Sequence, residues 1–109
     1  MNNERRQPRI PFDAAVEISL EDESKQPGRL TNISAGGTFV QTEPLPEFGQ
    51  KLKLFVRLPG IEEDCEIPCI VRWTKKGAGA GVQFENLRPI EVWALTKMKH
   101  AAEDAGEVQ

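Results

Sequence analysis

The sequence has no long apolar run and no leader-like apolar core. None of its hydrophobic stretches approaches the ~20 residues that cross a bilayer, and the first five residues, Met1 to Arg5, are polar or charged after the methionine, unlike a secretory signal. We therefore expect a cytoplasmic protein with no membrane insertion. A length of 109 residues suits one compact domain.

Histidine and cysteine are scarce. The single histidine, His100, lies near the end of a predicted helix, with no serine, cysteine or carboxylate set beside it that indicates a catalytic centre. Cys65 and Cys69 lie on one predicted strand about 13 Å apart, too far for a disulfide, so we interpret them as small buried hydrophobic residues. The acidic segment 62–64 fits a solvated loop. The sequence thus predicts no enzyme, no resident metal and no cofactor.

Positive charge is not in excess either. The formal net charge is −3 and the isoelectric point is about 5.2. A protein with this balance has no overall field that gathers nucleic acid, so an anion must be held by a local basic cluster. A single-stranded nucleic-acid binder is disfavoured by the charge and by the few aromatic side chains available to stack on bases.

Alternating apolar and polar residues predict a series of short strands. Two of them form a predicted hairpin across Ala35-Gly36-Gly37, where adjacent glycines permit positive φ and close backbone approach. The polar segment 21–28 is predicted to be a turn. In the fifth strand, Trp73 is expected to share a face with Cys65 and Val71. The predicted strands are 14–20, 29–34, 38–42, 51–58, 65–73 and 80–84.

From Pro89 onward the apolar spacing changes to that of a helix. Proline in the first turn, followed by Glu91, is typical of a helix start. Apolar residues at i, i+3, i+4 and i+8 predict the face that packs on the sheet. They are Ile90, Trp93, Ala94 and Met98. Six strands and one helix predict a mainly β fold, a six-stranded antiparallel barrel with a C-terminal α-helix, whose closure removes exposed sheet edges.

A polar, basic segment precedes the first strand. Residues 1–11 contain Pro8 and Pro11 and are predicted to form a flexible arm. Arg5 and Arg9, with Arg6 between them, can each present a planar fork to a phosphate or to the O6 and N7 edge of guanine, and can stack on a base. Taken alone, such a segment is also typical of a solvated tail.

A second motif lies at the predicted hairpin. Asn32 and Ser34 are two apart on a strand, so their side chains are expected on one face about 7 Å apart. Gly36 and Gly37 leave the backbone open to a flat ring or a phosphate. The same residue types are typical of an ordinary turn, so this motif alone leaves both interpretations open.

Together the two motifs resemble those of the PilZ family. Its signature is Arg-x-x-x-Arg followed by Asp/Asn-x-Ser-x-x-Gly, and every signature position is filled here, by Arg5–Arg9 and Asn32–Gly37. The similarity continues through Ile70–Trp73 and Gly79–Phe84 and covers nearly the whole chain. Two ordered motifs at this separation are more specific than either alone.

The resemblance implies a PilZ-type barrel that binds the bacterial second messenger cyclic di-GMP, often as a stacked pair of molecules, on its outer surface. Arg5 and Arg9 would grip phosphate and guanine with support from Arg6, and the arm would fold over the ligand. Trp73 is typical of a core anchor or, at a barrel rim, of a base-stacking platform. The expected ligand-binding residues are Arg5, Arg6, Arg9, Asn32, Ser34, Gly36, Gly37, Trp73 and Gly81.

The resemblance also implies a receptor that changes its surface on ligand binding and regulates an unidentified protein partner in trans, in motility, biofilm formation or a related process. The alternative is a PilZ-like interaction module that does not bind nucleotide, against which the complete arginine motif argues. The expected organisation is an arm at 1–11, the barrel and helix at 12–102, and a disordered tail at 103–109.

Overall fold

A computed structural model of the chain describes residues 9–107, and its side chains through residue 103. This part of the chain forms six strands and one helix. The elements are β1 (Ile10–Leu20), β2 (Lys25–Ile33), β3 (Gly37–Thr42), β4 (Lys51–Val56), β5 (Cys65–Lys75), β6 (Gly79–Phe84) and α1 (Pro89–Glu107). The predicted mainly β fold with a C-terminal helix is confirmed.

The strands close into an antiparallel barrel in the order β1-β2-β3-β6-β5-β4, and β4 pairs with β1 to complete the ring. Since β6 lies between β3 and β5, the last strand of the chain adjoins the hairpin of β2 and β3. Residues that are far apart in sequence therefore share one stretch of outer wall.

Inward-facing residues of all six strands form the core. Ile18, Leu30 and Leu54 are fully buried there, as expected from their alternation with polar neighbours. Cys65 and Cys69 are also fully buried and free, so their interpretation as core residues is confirmed. Burial, with a smaller effect from Glu85, raises the pKa of the Cys69 thiol to about 12.

The first two strands are longer than predicted. β1 begins at Ile10, which pairs with Ile33, so the last two residues assigned to the arm belong to the barrel. β2 begins at Lys25, and the turn is confined to residues 21–24. The alternation was hidden because a polar residue, Gln26, takes a buried position, where its amide donates to Thr42 Oγ1 (2.7 Å) and to the Pro44 carbonyl (2.8 Å).

The buried face of α1 also differs from the prediction. Ile90 and Trp93 are 48% and 47% exposed, whereas Glu91 is 1% exposed. Glu91 turns inward because it caps the helix start: it accepts hydrogen bonds from the Arg88 backbone N–H (2.8 Å) and from the Arg88 guanidinium. Only Ala94 and Met98 of the predicted stripe face the barrel, and Leu95 joins them.

The end of α1 lies beyond the predicted boundary, because the helix continues to Glu107 where a tail was expected from residue 103. Within residues 9–107 no helix has the length and apolar character of a membrane span.

Candidate functional site

Two bulges turn predicted site residues to the outside of the barrel. In β5, Val71 pairs with Val82 and Trp73 with Gly81, so two steps on β5 match one on β6. In β2, Leu30 pairs with Val40 and Asn32 with Phe39. An extra residue reverses the side of the sheet on which the next side chain lies. The prediction that Trp73 shares the inner face with Val71 is therefore wrong, and Trp73 is 45% exposed.

The same bulges align four residues across neighbouring strands. Asn32 pairs with Phe39, Phe39 with Gly81, and Gly81 with Trp73. Directly paired residues point to the same face of a sheet, so these four form a continuous line on the outer wall. We call Asn32, Phe39, Gly81 and Trp73 the outer row. Three strand spacings separate its ends by about 14 Å.

Two aromatic rings of this row pack over β6. The ring centroids of Phe39 and Trp73 are 5.3 Å apart and their planes differ by 24°, a stacked arrangement. Beneath them are glycines: a Cβ at Gly81 would lie 2.2 Å from the Trp73 Nε1, and one at Gly79 would lie 2.9 Å from the Phe39 ring. The alternate glycines of β6 thus leave the space that the rings occupy.

Arg9 lies at the other end of the row. Its Nη1 donates a hydrogen bond to Asn32 Oδ1 at 2.5 Å, and the guanidinium is otherwise exposed. Because arginine has only donors and the Asn32 oxygen already accepts one of them, the pair turns mainly N–H groups outward. Such a cluster suits acceptors, namely phosphate oxygens or the O6 and N7 atoms of guanine. Arg5 and Arg6 lie outside the described residues.

Ser34 has a different environment from the one expected. It lies just beyond the end of β2 and is buried, so it does not share an outer face with Asn32. Its Oγ accepts from the Gly36 and Gly37 N–H groups (3.2 and 3.3 Å) and lies 3.2 Å from the Gly37 carbonyl, to which its hydroxyl donates. Ser34 therefore orders the turn behind the outer row.

Gly37 is required for close approach rather than for positive φ. A Cβ there would lie 2.1 Å from the Val82 carbonyl oxygen on β6. The Gly36 carbonyl in turn accepts the Phe84 N–H at 2.9 Å. The described glycines with positive φ are elsewhere, so that part of the prediction is wrong. They are Gly49, Gly60, Gly77 and Gly79.

Sequence reasoning missed Phe39 and Gly79 as members of this surface. The signal that could have found them is Gly79-Ala80-Gly81, since two glycines one residue apart on a strand leave a bare strip on one face. No cluster of histidine, cysteine and carboxylate side chains within the described range could hold a metal ion.

The PilZ domain sequence model matches residues 3–98. One similar solved structure is the PilZ domain, with c-di-GMP, of YcgR from Escherichia coli: 18% identity, TM-score 0.70, and 95% of each chain covered. Another is the Bacillus subtilis inhibitor of motility MotI/DgrA: 23% identity, TM-score 0.71, and 95% of this chain covered against 53% of that one.

A third similar structure is the PilZ domain of CeSA from a cellulose-synthesizing bacterium, with 19% identity, a TM-score of 0.65, and 88% of this chain and 98% of that one covered. At these identities the likeness concerns the fold. No curated protein sequence matches the chain.

Proposed function

The chain belongs to the PilZ domain family, and from that premise we propose that it is a receptor for cyclic di-GMP that regulates a protein partner. The observation that carries the proposal is the contact of Arg9 with Asn32 at one end of an outward row that ends in an exposed tryptophan. A guanine-containing phosphodiester needs donors for its base edge and its phosphates, and an aromatic surface for its base planes.

The donors lie at the Arg9 end of the row. The guanidinium can bind a phosphate or the guanine O6 and N7 atoms through two parallel hydrogen bonds, and the amide of Asn32 orients it. In this proposal the guanidinium groups of Arg5 and Arg6 donate further hydrogen bonds when the arm folds over the ligand. The turn at Ser34, Gly36 and Gly37 holds the Asn32 strand end in place.

The stacking surface lies at the Trp73 end. Stacking of a base on an aromatic side chain is worth about 1–3 kcal/mol, comparable to a charge-assisted hydrogen bond. Since the row is about 14 Å long, one purine cannot touch both ends. Either the two bases of one ligand or two stacked ligand molecules would occupy it.

Regulation of a partner follows from the position of the arm. β1 starts directly after Arg9, so an arm that closes on the ligand changes the outer surface where β1 enters the barrel. The structure of the YcgR domain with c-di-GMP supports the choice of ligand, and the motility inhibitor among the structural neighbours supports a role in the control of motility. We propose a non-enzymatic role in the cytoplasm.

Calorimetric titration of the full chain with cyclic di-GMP, GMP and a single-stranded oligonucleotide tests the proposal. We expect binding of cyclic di-GMP only, and a loss of about 10- to 100-fold in affinity for Arg9→Ala, because a hydrogen bond to a charged group is worth about 1.5–3 kcal/mol. Arg57→Ala is the matched control, since Arg57 is an exposed arginine that pairs with Asp64 in the loop between β4 and β5, away from the outer row.

Each other outcome is informative. Absence of cyclic di-GMP binding would leave a PilZ-like interaction module that does not use the nucleotide, and preferential binding of the oligonucleotide would indicate a nucleic-acid binder. Native affinity in Arg9→Ala, with circular dichroism unchanged, would remove Arg9 from the site.

A further inference from the structure

We propose that Phe39 is a positioning residue for the ligand's purine: it holds the indole of Trp73 in place over Gly81 and so fixes the plane on which a base stacks. The inference rests on the proposed function and adds a residue that neither the arginine motif nor the Asn-x-Ser-x-x-Gly motif contains.

The surroundings of Phe39 give its ring no role in the core. Phe39 is half-buried on the outer face of β3, while its neighbours Thr38 and Val40 point inward. The partly buried apolar residues that pack against the core do not include Phe39 within the described chain. The Phe39 ring stacks on the indole of Trp73. An outward aromatic side chain that stacks on another aromatic ring shapes the outer surface.

The backbone of β6 fixes where both rings can lie. Gly79 leaves room for the edge of the Phe39 ring, and Gly81 leaves room for the indole of Trp73. The stacked rings therefore pack over a strip of β6 that carries no outward side chain, and each limits the other's rotation. The indole is nevertheless 45% exposed, so part of its surface is open to an incoming base. Without Phe39, the indole would lose the contact that holds it over Gly81.

Phe39 also joins the stacking surface to the donors. It pairs directly with Asn32, whose amide oxygen accepts a hydrogen bond from the Arg9 guanidinium. The aromatic surface thus begins one strand spacing, about 4.8 Å, from the hydrogen-bonding end of the row. A purine spans that distance. The orientation of the indole therefore decides whether the purine can stack on the indole and have its edge hydrogen-bonded at the same time.

The test uses a Trp93→Phe parent, in which Trp73 is the only indole. Trp93 is on α1, outside the outer row, so this change leaves the stacking surface intact. Cyclic di-GMP is titrated into the parent and into Phe39→Leu, Phe39→Tyr and Phe55→Leu on that background. Affinity, emission wavelength and fluorescence anisotropy of Trp73 are measured. Phe55→Leu is the matched control, because Phe55 is a half-buried phenylalanine on β4.

We expect Phe39→Leu to weaken binding on the order of fivefold, the range of an aromatic pair, and to lower the anisotropy of Trp73 before ligand is added. Phe39→Tyr should restore both values and Phe55→Leu should change neither. Equal affinity of the parent and Phe39→Leu would overturn the inference and leave the receptor function standing. A parent that does not bind cyclic di-GMP would overturn both.

Discussion

At the scale of single residues, two glycines of the site have different neighbours. A Cβ at Gly37 would meet a backbone carbonyl oxygen at 2.1 Å, whereas a Cβ at Gly81 would meet the Trp73 side chain at 2.2 Å. Backbone cannot move without separating β3 from β6, but an exposed indole can turn away. An added methyl group at Gly37 should therefore disturb the fold, whereas one at Gly81 should displace the indole and disturb the stacking surface.

Gly37→Ala should lower the free energy of unfolding by about 1–3 kcal/mol, the usual cost of overpacking. Gly81→Ala should cost less stability but weaken cyclic di-GMP binding by about 5- to 100-fold, as expected when a base loses its stacking surface. Urea denaturation and calorimetric titration of both variants measure the two effects. Equal losses of stability would contradict the distinction between backbone and side-chain neighbours.

The Cys69 thiol provides a prediction on pH. Its pKa is raised from 9.0 to about 12, mainly by burial. Above pH 9 the unfolded chain ionises this thiol while the folded chain keeps it protonated, so stability is complete below pH 9 and falls as pH rises toward 12. Cys69→Ala should make this alkaline decline shallower, which denaturant titrations at pH 8, 9 and 10 would show. An unchanged decline would assign it to other groups.

At the scale of elements, the start of α1 depends on one buried carboxylate. Glu91 accepts a hydrogen bond from the Arg88 backbone N–H in the manner of a capping box, and its side chain also pairs with the exposed Arg88 guanidinium at 2.7 Å. Glutamine can keep the first contact but not the charge, whereas alanine loses both.

We therefore expect Glu91→Ala to destabilise the protein by about 1–3 kcal/mol and Glu91→Gln to cost distinctly less. Urea denaturation of the two variants, with the helix followed by circular dichroism, separates the contributions. If glutamine were as damaging as alanine, the ion pair rather than the cap would hold the helix start.

The elements also show how far the sequence could predict this molecule. Alternation revealed all six strands and the barrel, because the inward positions are mostly aliphatic. It missed the start of β2, where Gln26 is buried through hydrogen bonds to groups that are distant in sequence. It also assigned Ile90 and Trp93 to the wrong side of α1, since a buried, capped glutamate does not look apolar.

The site was predictable in its residue types but not in its geometry. Motif spacing singled out Arg9 and Asn32, which the fold brings into contact. The outward turn of Trp73 depends on a bulge for which periodicity gives no signal, because one extra residue reverses the alternation. The stack with Phe39 depends on pairing through β6 and is therefore a property of the closed barrel.

At the scale of the whole molecule, charge is small and of the wrong sign to attract an anionic ligand. The net charge is −3, so attraction must come from the local arginines. We expect cyclic di-GMP affinity to fall as sodium chloride rises from 50 to 500 mM, because salt screens these contacts. Arg9→Ala should show a shallower dependence, measured by titration at each salt concentration. Identical slopes would mean that Arg9 does not meet a charged group.

The bare strip on β6 makes the barrel wall thin under the ligand surface. Between Gly79 and Gly81 the only outward substance is peptide backbone, while Ala80 and Val82 project from the same strand into the interior. Because the Trp73 indole covers this strip, a base that stacks on the indole and shifts it would change the ring current at methyl groups just inside the wall. The methyl resonances of Ala80 and Val82 would therefore report ligand binding, although both side chains lie on the inner face of the barrel wall.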